Sequence, residues 1–140
     1  MLDMKCFTGA LVLLVASLGI GCAPVSGAAE GSSSAASEAM LKRGKLLFLQ
    51  CRACHEVTVG QPHKVGPNLH GFMGRKAAAA EGFVYSNALS ASTLVWDVAT
   101  LDRWIAHPES VAPGTTMAFV GVANEADRRA LIAYLDSATR

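Results

Sequence analysis

Apolar residues recur at helical spacing in this chain, and the pattern predicts four helices. Met40, Leu41, Leu47 and Phe48 share one face. Ser37 ahead of them can cap a first helix, with Glu38 in its opening turn. A short second helix is predicted after Ser86. The third opens at Asp97 as N-cap, carries Leu101, Trp104 and Ile105 on one stripe, and is stopped by Pro108. The fourth opens at Asn124, with Asp127 three residues on and Ala130, Leu131, Tyr134 and Leu135 as its buried face. No segment alternates with period two over a useful length, so the fold class is all-α. Two long glycine- and proline-rich loops separate the helices, Glu56 to Gly82 and Pro108 to Gly121. Loops of that length in a compact domain are usually functional. Helices this short make a thin core, so something besides side chains must fill the middle.

The N-terminus carries a different pattern. Lys5 precedes an almost unbroken apolar run from Phe7 to Ile20, followed by the small residues Gly21, Ala23, Ser26, Gly27 and Ala28. That order predicts a signal peptide over residues 1–28, cut after Gly27 or Ala28. The run is shorter than the ~20 residues that span a bilayer comfortably, which weighs against a retained membrane anchor. A third reading is a lipoprotein signal ending at Cys22, where Gly19-Ile20-Gly21-Cys22 loosely follows the lipid-attachment pattern. Residues 29–37, rich in Gly, Ser and Ala, read as a flexible linker, and 38–140 as one domain. Export places the domain in the periplasm, either free or tethered by lipid at Cys22.

With 140 residues and a formal net charge of +1, the chain holds one domain and lacks the basic excess that nucleic acid would demand. Cys6 and Cys22 fall in the targeting segment, so the mature domain keeps only Cys51 and Cys54. These stand in Cys51-Arg52-Ala53-Cys54-His55, the C-x-x-C-H signal for covalent haem attachment. On a helical turn, positions three apart face the same way. Both thiols can then form thioethers to one haem, and His55 sits beneath the iron as an axial ligand. A redox dithiol would need a strand before the motif, whereas Lys45 to Gln50 reads as the end of a helix. A zinc site would need a second ligand pair, and His63, His70 and His107 do not supply one at the right spacing. For the sixth ligand the residues leave Met117, Met73, Met40 and the other histidines open. Met117 ends the turn-rich segment Pro113-Gly114-Thr115-Thr116-Met117, off any helix stripe, which favours it. The three other histidines read as surface or solvated loop residues.

From Lys42 to Leu135 the chain resembles the class I, mitochondrial-type cytochromes c and their bacterial relatives. The likeness rests on Cys51-Arg52-Ala53-Cys54-His55, Gly66-Pro67-Asn68-Leu69-His70-Gly71, Gly74-Arg75-Lys76, Pro113-Gly114-Thr115-Thr116-Met117 and Leu131-Ile132-Ala133-Tyr134-Leu135. The resemblance implies three to five short helices wrapped around one haem c. It would be held covalently by Cys51 and Cys54, with His55 as proximal and Met117 as distal ligand. It further implies that Pro67 offers its carbonyl to His55 and that Arg75, Tyr85 and Trp96 bond the propionates. Thr115 would belong to the polar network beside Met117, Phe119 would cover the haem face, and the first helix would cross the last near Leu131 and Tyr134.

Four departures stand out. Trp104 replaces a frequent Tyr near the Met sulfur, and Leu89 replaces a frequent Asn that holds a buried water. Thr116, Glu109 and Ser110 occupy places where lysine is common, which weakens electrostatic steering toward an acidic partner. Gly44 lies seven residues ahead of Cys51, one closer than is usual, which predicts a shifted helix register. The implied function is electron shuttling by a single-haem monomer, without catalysis. It would run between transient redox partners (a reductase, dehydrogenase or oxidase) in a respiratory or similar chain. A haem enzyme or gas sensor would require Met117 to be off the iron.

Overall fold

The computed structural model describes residues 28–140. Its helices are α1 (Ala28–Arg52), α2 (Asn87–Ala91), α3 (Val98–Ala106), α4 (Pro108–Val111) and α5 (Glu125–Ala138). Apart from Ala28, the expected signal peptide and Cys22 lie outside the described residues. The described residues form no strand, only an isolated antiparallel bridge between Lys76 and Val95.

The capping side chains set most helix starts. Ser86 accepts from the Leu89 amide, Asp97 from Thr100 and Asn124 from Asp127, each satisfying an amide that the first turn leaves unpaired. The first helix differs from its expected start. It begins at Ala28 and runs through the segment read as a flexible linker, so Ser37 is not a cap. The Ser37 hydroxyl instead donates back to the Ser34 carbonyl at 2.8 Å, an alternative open to serine inside a helix. Four alanines between 28 and 36 favour helix whether or not a core is present. Met40, expected on the buried face, is exposed. Pro108 does stop α3, but it also opens α4 as a first-turn proline, a position where its missing N–H costs nothing.

The helices α1 and α5 pack face to face. At their crossing Gly44 is buried, and a Cβ there would lie 2.0 Å from the Ala130 carbonyl oxygen and 2.6 Å from Tyr134 Cβ. Gly44 therefore lets the α1 and α5 backbones come close at this point. One turn on, Phe48 meets Tyr134 with ring centroids 5.4 Å apart, and Arg43 pairs with Asp127 through both carboxylate oxygens at 2.8 Å. Because backbone cannot retreat as a side chain can, Gly44→Ala is expected to cost at least ~2 kcal/mol. A thermal melt of the cofactor-loaded protein, read by circular dichroism, checks this.

Helix α3 packs on α5 and α4. Arg128 of α5 bonds Asp102 of α3 and also donates to the carbonyls of Val122 and Ala123. The Val122 amide in turn donates to the Ile105 carbonyl at 2.9 Å. These bonds tie the end of the second long loop to the α3–α5 pair.

Candidate cofactor-binding site

A cavity of about 530 Å³ occupies the centre of the molecule, where the thin core left room for something else. Phe48, Leu131 and Leu135 wall it on the α1–α5 side, and Leu101, Trp104 and Ile105 on the α3 side. Its size falls within the range of cofactor pockets.

The last turn of α1 brings Cys51 and Cys54 to this cavity, and His55 follows at its wall. The Cys54 and His55 amides both bond the Cys51 carbonyl, at 3.0 and 2.9 Å, which keeps the turn closed through the motif. Both thiols are free and half-buried. Burial, with a smaller contribution from neighbouring Cys54, pushes the Cys51 thiol up to about 11. A redox dithiol depends on a lowered thiol pKa, so this environment disfavours that chemistry.

His55 Nδ1 donates to the Pro67 carbonyl at 2.8 Å. That bond fixes the tautomer and leaves the Nε2 lone pair free to ligate. Burial holds the imidazole below its usual pKa, which keeps the ring neutral, and the charge of Lys64 acts in the same direction against the Pro67 bond. Lys64 was not anticipated from sequence. Its ammonium donates to the carbonyls of Arg52 and His55 at 3.0 and 3.2 Å, closing the end of α1. Gly66 makes room for the ring, since a Cβ there would stand 2.4 Å from His55 Cε1. Gly66→Ala is therefore expected to displace the imidazole and weaken its bond to Pro67. The check is the proton resonances of a ferric, cofactor-loaded sample, where the proximal histidine should shift while the helical content holds.

Met117 reaches the same cavity from the second long loop. Its amide donates to Thr115 Oγ1 at 3.3 Å, and the Thr115 amide bonds the Ala112 carbonyl at 2.9 Å. Among the described methionines, Met117 alone lines the cavity; Met40 is exposed on α1 and Met73 packs elsewhere against the core. Phe119 lines the cavity beside it.

The cavity lining also holds the polar donors Arg75, Tyr85 and Trp96. Backbone bonds Gly74 N–H to Trp96 O and Trp96 N–H to Arg75 O, at 2.8 and 2.9 Å, lock Arg75 and Trp96 together. Arg75 Nη2 donates to the Ala79 carbonyl at 2.6 Å. The Tyr85 hydroxyl accepts from the Ala80 amide at 3.3 Å, and burial holds its proton above the usual range, so it remains a donor. Arg75 is more exposed than a fully buried partner would be, whereas Tyr85 and Trp96 are half-buried.

His63 corrects the sequence expectation. It is no idle surface residue: Nδ1 accepts from the Asn68 amide at 2.9 Å, and Nε2 donates to the Glu81 carbonyl at 2.8 Å. It thereby joins the two halves of the first long loop across the cavity wall. His70, expected to be solvated, is also half-buried there, whereas His107 is exposed. The signal for His63 was weak because its partners lie far along the chain.

The donor set fits a haem. Two thiols and one imidazole sit on a single turn, a thioether from a separate loop lines the same cavity, and the neutral or cationic donors Arg75, Tyr85 and Trp96 line it too, where they could meet carboxylates. Among the described residues, no cluster of three or more His, Cys, Asp or Glu side chains could hold a bare metal ion. No described helix is long and apolar enough to cross a membrane.

Residues 41–139 match the family model described as Cytochrome c. The chain is 49% identical over 92 residues to cytochrome c2 of Rhodoblastus acidophilus, covering 66% of this chain and 86% of that protein. It is 42% identical over 113 residues to cytochrome c2 of Rhodomicrobium vannielii, covering 81% of this chain and 90% of that one. Among solved structures, cytochrome cH from Methylobacterium extorquens is similar at 39% identity and a TM-score of 0.65, over 69% of this chain and 97% of that chain.

Proposed function

Since the chain belongs to the cytochrome c family of single-haem electron carriers, we propose that Cys51 and Cys54 hold one haem c covalently and that His55 and Met117 ligate its iron from opposite faces. The observation that carries this reading is the shared cavity. It is lined by the Cys51–His55 turn at the end of α1 and by Met117 from a separate loop, with His55 already oriented by Pro67.

When bound, the haem supplies an iron that cycles between ferric and ferrous states. His55, neutral and fixed in one tautomer by the Pro67 carbonyl, would offer its Nε2 lone pair to the iron. Met117 would supply a soft thioether as a second ligand, which would favour the ferrous state and raise the potential. With both ligands supplied by the chain, no position would remain for substrate or gas, which fits an electron carrier rather than an enzyme. Arg75, Tyr85 and Trp96 donate to the propionates, where an unpaired carboxylate would be costly. Thr115 steadies the Met117 backbone. Leu89 and Trp104, both buried at the cavity, keep this side dry. Low local polarity disfavours the extra positive charge of the ferric state.

The carrier works in the periplasm, released as a monomer near Gly27, and passes single electrons between a reductase or dehydrogenase and an oxidase or comparable acceptor. Intact-mass measurement of native material distinguishes this cut from a lipid-modified Cys22. A potentiometric titration tests the function itself. One reversible electron per chain and a ferrous form inert to carbon monoxide are expected; avid carbon monoxide binding would instead make the protein a sensor or enzyme.

A further inference from the structure

A second pocket, of about 160 Å³, lies on the flank of α1 and shares only Phe48 with the lining of the central cavity. Lys45 and Arg52 both line it. They stand two turns apart on one face of α1, ~10 Å along its axis. Leu49 comes between them, and Tyr134 of α5 adds a phenol hydroxyl to the same lining. Neither cation has an ion-pair partner among the described residues. The one carboxylate in the lining, Glu56, is already engaged. Its Oε1 accepts from the Val57 amide at 3.0 Å and the Thr58 hydroxyl at 3.3 Å, and its Oε2 pairs with Lys64 at 3.3 Å. Lys64 thus offsets Glu56, and the charges of Lys45 and Arg52 are left unmatched. Beside the pocket, Leu46 and Leu49 share the outer face of α1 and are 62% and 58% exposed.

We propose that this pocket binds a phosphate group, supplied either by free phosphate or by a phospholipid headgroup. The site contains neither the thiols nor the iron ligands, and it lies beyond the electron-carrier reading. The planar fork of Arg52 can meet two phosphate oxygens at once, and Lys45 adds a point charge. The pocket is well under the ~300 Å³ at which cavities for drug-sized ligands begin, so one small group fits and the rest of a larger molecule would stay outside. Leu49 and Val57 in the lining lower the local polarity, which strengthens the attraction between opposite charges. A phospholipid would gain further from the exposed Leu46 and Leu49, whereas free phosphate would not.

The test uses the reduced, haem-loaded protein, with inorganic phosphate as the probe. Phosphate replaces chloride at constant ionic strength, so that screening does not change. Binding is followed by NMR at the Leu49 and Arg52 amides and the Arg52 side-chain N–H. Saturable shifts in the millimolar range are expected. Lys45→Gln and Arg52→Gln should each weaken binding about threefold or more. Lys42→Gln removes the same charge one turn earlier on α1, from a lysine paired with Glu38 outside the pocket, and should leave binding unchanged. Cosedimentation with vesicles then separates the two sources. Retention on phosphatidylglycerol but not phosphatidylcholine, lost in both pocket variants and competed by phosphate, identifies the lipid headgroup. Retention that is absent, or unchanged in both variants, leaves free phosphate as the ligand. Shifts that do not saturate, or equal weakening by Lys42→Gln, would overturn the site and leave the carrier reading untouched.

Discussion

A variant with Cys51 and Cys54 both replaced by alanine, freed of haem, is expected to be unfolded at room temperature. The reason is the volume at its centre. A cavity of about 530 Å³, left empty, would cost on the order of 13 kcal/mol at ~24 cal/mol per Å³. That is an upper bound, because the mouth admits water, yet it is comparable with the whole stability of a domain, about 5–15 kcal/mol. Phe48, Leu101, Trp104, Leu131 and Leu135 all line this space, so they lose packing together. Far-UV circular dichroism should show little of the helix that the haem-loaded parent retains. A cooperative, native-like melt of the haem-free variant would mean that the helices pack without help.

Replacing Met117 by alanine is expected to have the largest effect on redox behaviour. The thioether is the only methionine sulfur at the cavity among the described residues, so no described methionine takes its place. Its loss opens an axial position. The ferric iron should turn high-spin or take up water, and the ferrous form should bind carbon monoxide. Removing a ligand that prefers ferrous iron should lower the potential. A hundredfold change in relative affinity for the two states corresponds to about 120 mV for one electron. The helices should survive, since Met117 sits in a loop held by Thr115 and Ala112 on one side and by Val122 on Ile105 on the other. Potentiometry together with carbon monoxide titration measures both consequences. An unchanged potential would remove Met117 from the iron.

Much of this architecture was legible before the structure. Asp97 and Asn124 marked helix starts because a capping side chain acts on amides only three residues away. The apolar stripes of α3 and α5 followed from periodicity alone, although Ile132 is also buried on α5. The start of α1 was not legible, because alanine and serine suit both linker and helix, and Ser37 bonds backward rather than capping. Pro108 carried two meanings, stop and first turn, and only the first was taken. At the site, local spacing marked Cys51, Cys54 and His55 and the turn-rich segment favoured Met117 over the other candidates; the structure brings all four to one cavity. His63 and Lys64 were missed because their roles depend on carbonyls and amides contributed by other turns. Such bonds leave no periodic trace. Gly44, one residue closer to Cys51 than is usual, packs against Ala130 and Tyr134 of α5.

The most direct measurement is the visible and near-infrared spectrum of protein exported with its haem-attachment machinery, in both redox states. A low-spin spectrum typical of thioether-linked haem is expected, with a weak ferric charge-transfer band from methionine sulfur that disappears in Met117→Ala. A high-spin ferric spectrum, or haem that washes out of the denatured chain, would contradict the proposed attachment and ligation.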